Sequence, residues 1–146
     1  LKQFLDDTCR KLNDDWTNRS AEITSQAIEI DAAMDACREV FQGRAFRRYS
    51  SAGYENRFNR AIFDVQMLFL TRPDIRSSIV EQAGPVREAF EELSLKRSFV
   101  DATASTTKSI SATFTRLSLW ASSLHDLTGG LSPKVRLAGN RIQIVE

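Results

Sequence analysis

Residues 61–70 read AIFDVQMLFL, a run that is apolar nearly all round when wound as a helix. A helix with no polar face is covered on every side in a soluble chain, so this segment is expected as the central helix of a bundle. Arg72, Pro73 and Asp74 close it, because proline removes a backbone donor and clashes with the preceding turn.

The neighbouring segments carry the stripes such a helix needs around it. Upstream, Ile23, Ala27, Ile30, Met34, Cys37 and Phe41 follow a heptad, with Ser20 or Asn18 as the cap and Gly43 as the terminator. The stripe has the pattern of an intermolecular coiled-coil seam as well. It lasts only about three heptads before Gly43, which favours packing within the chain.

Leu1, Phe4, Leu5, Cys9, Leu12 and Trp16 mark an earlier amphipathic helix, and Thr17 to Ser20 are expected to break it from the next. Because Leu1 already belongs to this pattern, the chain is read as part of a longer one.

Downstream, Ile75, Ile79, Val80 and Ala83 form a short helix, and Gly84 with Pro85 precede another that carries Val86, Phe90 and Leu93. The polar stretch DATASTTK, residues 101–108, favours turns and caps. Ile110, Phe114, Leu117, Ala121 and Leu124 make a last stripe, ended by Gly129 and Gly130.

Val135, Leu137, Ile142 and Ile144 then alternate about Gly139 and Asn140, the pattern of a hairpin with a type II′ turn. The expected fold is therefore all-α, an irregular bundle of about six helices over residues 1–128 with a Gly-rich turn and short β-hairpin tail over 129–146. Ile30, Met34, Ile62, Phe69, Phe114 and Leu117 are expected in its core.

Composition bounds the function. The chain is 42% apolar and 9% aromatic, enough for one core without disulfides. Cys9 and Cys37 fall on apolar faces, as buried reduced thiols do. No apolar run reaches the length of a membrane span and no signal-peptide pattern opens the chain, so a cytoplasmic protein without a membrane partner is expected. With net charge +1, any charged partner must be caught by a local patch.

Catalytic chemistry is not assembled in the sequence. His125 is the single histidine and sits near a helix C-terminus, where a charged imidazole meets the dipole favourably. With no second histidine and no close cysteine pair, a His/Cys zinc site, a His-dependent triad and an HNH-type centre are excluded from this segment. Asp6 and Asp7 point to different helix faces, as do Asp14 and Asp15, and the four read as solvated. Neither a P-loop nor a dinucleotide fingerprint is present. No catalytic residue, metal ligand or cofactor is assigned within the segment.

The candidate site is the stretch RAFRRYSSAGYENRFNR, residues 44–60. Arg44, Arg47, Arg48, Arg57 and Arg60 alternate there with Phe46, Tyr49, Tyr54 and Phe58 around a loop at Ser50 to Gly53. Guanidinium groups grip phosphates bidentately and rings stack on unpaired bases. The competing reading makes Phe46, Tyr49 and Phe58 core and leaves the arginines solvated or paired with Asp35, Glu39 and Glu55. Lys108 and Arg116, in and after the hydroxyl-rich run at Ser105 to Ser109, form a second candidate phosphate contact at a helix start.

Three stretches together, FQGRAFRRY, NRFNRAIFDVQMLFL and FVDATASTTKSISATFTRLSLWASSL, resemble the helical C-terminal region of the GmrSD-type restriction and phage-defence family. The matching residues are Phe41, Gly43, Ala45, Phe46 and Arg47, then Asn59, Ala61 and Phe63, then Phe99, Thr107, Lys108, Arg116 and Trp120. The resemblance implies a parent protein with a ParB/sulfiredoxin-like N-terminal domain that hydrolyses nucleotide and acts on foreign DNA. The Asp-Gly-Gln-Gln-Arg-type motif of that domain is absent here, so the activity does not carry over to this segment. What it implies for this chain is an accessory role, with the N-terminal domain and DNA as partners and the oligomeric state open. A helical protein-interaction domain is the alternative.

Overall fold

A computed structural model describes residues 2–104, 109–131, 134–139 and 141–145. Among them are seven α-helices and a C-terminal antiparallel hairpin: α1 (Lys2–Asp14), α2 (Trp16–Phe41), α3 (Arg60–Leu70), α4 (Pro73–Glu81), α5 (Ala83–Leu95), α6 (Arg97–Ala104), α7 (Ile110–Leu124), β3 (Lys134–Ala138) and β4 (Arg141–Val145). A two-residue ladder, β1 (Tyr49–Ser50) with β2 (Gly53–Tyr54), lies between α2 and α3. The fold is all-α with a small hairpin, as the periodicities require.

Helix α3 is the centre. Asn59 accepts the Ile62 N–H at 3.1 Å and starts it. Ala61, Ile62, Val65, Met67, Phe69 and Leu70 are then buried, against the C-terminal half of α2 and against α4, α6 and α7. Phe90 of α5 meets Phe41 of α2 edge-on at 5.3 Å and Trp120 of α7 at 5.6 Å, closing the bundle on its other side. Pro73 occupies the first turn of α4 and Ser109 caps α7 at the Ala112 N–H, 3.2 Å away.

Four boundaries differ from the sequence reading. The break expected at Thr17 to Ser20 is helical. The only interruption is Asp15, whose N–H donates to Lys11 O and whose carbonyl accepts from Arg19, so the ladder runs across it. Arg19 also bridges Asp15 and Glu22 at 3.8 and 2.7 Å, which holds the polar turn helical.

At the other end of α2, Gln42 rather than Gly43 takes the left-handed conformation, with φ 54°. The break before α5 falls at Gln82, which leaves Gly84 and Pro85 inside the first turn. The first half of DATASTTK continues α6, because the Thr103 hydroxyl bonds back to Phe99 O at 2.8 Å and Asp101 pairs with Arg97 at 2.9 Å. Residues 105–108 lie outside the described ones.

The core expectation holds for Ile62, Phe69 and Leu117 and fails for Ile30, which is 49% exposed. Met34 and Phe114 are half-buried. The cause is geometric: α2 outruns the bundle, and its burial begins only at Ala33. Cys9 is likewise exposed, whereas Cys37 is buried, and burial pushes its thiol up to about 12.

In the tail, Val135 pairs with Ile144 and Leu137 with Ile142, and Val135 and Ile142 pack on the core beside α7. Gly139 takes φ 57°, the sign the turn needs, and Asn140 is outside the described residues.

Candidate functional site

The arginine and aromatic stretch leaves α2 and returns to α3 as a loop clamped at both ends. Phe46 sits at φ 62°, a costly conformation for a ring-bearing residue, and two hydrogen bonds hold it there. Its N–H donates to Gln66 Oε1 at 2.8 Å, and its carbonyl accepts the Asn59 N–H at 2.8 Å. Gln66, only 1% exposed on the central helix, is thus the post to which the loop is tied.

This clamp gathers three rings. Phe46 and Phe63 are 5.0 Å apart, Phe58 and Phe63 5.7 Å, and Phe46 and Phe58 6.1 Å. Phe58 is the outermost and remains 64% exposed. Arg57 and Arg60 flank it on the surface and half-buried Arg47 follows Phe46 in the chain. None of these three makes an ion pair among the described residues. Arg60 opens α3, where the positive end of the helix dipole adds to the local field.

Arg44, Arg48 and Arg116 each meet partners within the chain, although Arg44 stays exposed. Arg44 lies 5.3 Å from the Tyr54 ring centre and 4.0 Å from Glu91. Arg48 donates to Thr103 O at 3.0 Å and approaches Glu55 at 3.9 Å. Arg116, expected at a phosphate-binding helix start, has a side chain only 1% exposed. It reaches Ala102 O at 3.4 Å and Asp64 at 3.5 Å, and burial lowers its pKa against the pull of Asp64. Lys108 lies outside the described residues. The pairings expected with Asp35 and Glu39 do not form; Asp35 takes Arg38 at 2.8 Å.

A second feature was not foreseen. Ile30, Phe63, Met67, Leu68 and Leu117 line an open groove of about 410 Å³ between α2, α3 and α7, with Asp64 its one charged lining residue among those described. The signal for it was the excess of apolar residues on α3 over what its neighbours can cover. Among the described residues no three His, Cys, Asp or Glu side chains group as a metal site would, and no helix is long and apolar enough to cross a membrane.

Compared with known proteins, the chain matches no family model, no curated protein and no solved structure.

Proposed function

We propose that this chain is a helical accessory domain of a cytoplasmic, nucleotide-dependent defence protein of the GmrSD type, and that it contributes a DNA-contacting surface rather than an active site. The supporting observation is the exposed Phe58 ring, backed by Phe46 and Phe63, beside Arg57 and Arg60, which make no ion pair among the described residues. An exposed ring with adjacent free guanidinium groups suits unpaired bases and their phosphates. In this reading the nucleotide hydrolysis belongs to the parent's N-terminal domain, which packs against this one.

The test is the salt dependence of binding to a single-stranded oligonucleotide. With Z phosphates neutralised, log affinity falls against log salt with a slope of about −0.7Z. Arg57, Arg60 and the half-buried Arg47 therefore give a slope of roughly −2 if all three reach phosphates. A flat response rejects the reading.

The alternative, a helical protein-interaction domain, is favoured by the 410 Å³ groove, whose size and apolar lining suit side chains of a partner helix. Binding that resists salt supports it.

A further inference from the structure

The C-terminal hairpin sorts its side chains by face. In the register that pairs Val135 with Ile144 and Leu137 with Ile142, these four apolar residues share one face. Lys134, Arg136, Ala138, Arg141, Gln143 and Val145 share the other. Val135 and Ile142 pack on the core beside α7, which turns the second face away from the bundle. Lys134, Arg136, Arg141 and Gln143 are accordingly exposed.

That outer face is basic. From Lys134 to Val145 the chain holds these three cations and no carboxylate; Glu146, the next residue, lies outside the described ones. None of the three cations makes an ion pair among the described residues. Asp126 shares a hollow at the base of the hairpin with Lys134 and does not pair with it. Lys134 and Arg136 are two positions apart on one strand, roughly 7 Å, and Arg141 is the cross-strand diagonal neighbour of Arg136, about 7 to 8 Å away. Like charges that close repel, on a two-stranded sheet that is marginal by itself. A polyanion laid on the face relieves them.

We infer that this face binds double-stranded DNA, with the ribbon of β3 and β4 laid in the major groove. The major groove, about 12 Å wide, admits a two-stranded ribbon, and this one offers a free face while the bundle holds the other. Five residues a strand span about 17 Å, a length over which the duplex carries on the order of ten phosphates.

Two other anionic partners fit less well. An anionic membrane takes apolar side chains beside the cations, whereas the exposed ones here, Leu137 and Ile144, lie on the opposite face. Unpaired bases take a ring to stack on, and residues 134–145 include none. The inference does not rest on the Phe58 surface.

The test is an anisotropy titration of a short labelled duplex with the whole chain, native and carrying Arg136→Glu together with Arg141→Glu, at several salt concentrations. The double variant is expected to bind the duplex at least about tenfold more weakly, with a salt slope shallower by about 2. Thermal unfolding stays unchanged, because both side chains are exposed. Arg136→Gln with Arg141→Gln, which removes the charges without reversing them, shifts binding in the same direction. Phe58→Ala leaves duplex affinity as it was, which separates this face from the single-strand surface. Equal duplex affinity in the native chain and both double variants overturns the inference, as does a loss seen with phosphatidylserine vesicles or single strands but not with the duplex.

Discussion

Gln66 Oε1 accepts the backbone N–H of Phe46 at 2.8 Å across twenty residues of chain, so a buried amide on the central helix sets the position of the surface loop. The same oxygen takes the Cys37 thiol at 3.5 Å. Replacing Gln66 by Leu leaves the Phe46 N–H without a partner and is expected to cost about 1 to 3 kcal/mol in urea unfolding. It also frees Phe58, which limited proteolysis near Arg57 detects as faster cleavage. An unchanged cleavage rate contradicts the clamp.

Phe69→Ala should cost about 3 to 5 kcal/mol, since the ring is 1% exposed in the centre of the bundle. Ile30→Ala, on the open groove, falls below the 2 to 5 kcal/mol of a buried position, at about 1 kcal/mol. Equal losses in denaturant unfolding contradict the placement of Ile30.

Asp64 compensates a guanidinium that has almost no access to water. Asp64→Ala leaves Arg116 buried and unpaired and is expected to cost about 1 to 3 kcal/mol; the carboxylate, still 39% exposed, keeps this below the loss for a fully buried pair. Adding Arg116→Met to it recovers stability. A double variant less stable than the single contradicts this and shows that Arg116 stabilises the fold even without Asp64.

The two thiols separate by reactivity. Cys9 is exposed and should react with a thiol reagent in the native state, while Cys37 becomes accessible only on unfolding. Its raised pKa also makes stability pH-dependent. The fold favours the neutral thiol, so that contribution is complete below the unfolded value near 9 and is lost as pH climbs toward about 12. Cys37→Ala should flatten the decline in unfolding free energy over that window.

Local signals were legible where local physics decides. The apolar run of α3 and its end at Arg72 to Asp74 read directly from sequence, as did the alternation of β3 and β4. The roles of the arginines did not. Arg116 and its partner Asp64 are 52 positions apart, and the same spacing rules that put Arg116 on a helix cannot say which face the bundle covers. The heptad through Ile23, Ile30 and Cys37 is continuous in sequence, but only its last part meets the other helices. The chain pattern holds no term for where a bundle stops.

The most direct test of the surface is fluorescence anisotropy of a labelled single-stranded oligonucleotide at low salt, comparing the native chain with Arg47→Glu combined with Arg57→Glu, and with Phe58→Ala. Losing one stacked base should weaken binding by about 1 to 3 kcal/mol, and reversing two charges should also flatten the salt dependence. Affinities equal to the native one in both variants contradict a nucleic-acid surface at Phe58 and leave the apolar groove as the working face of the domain.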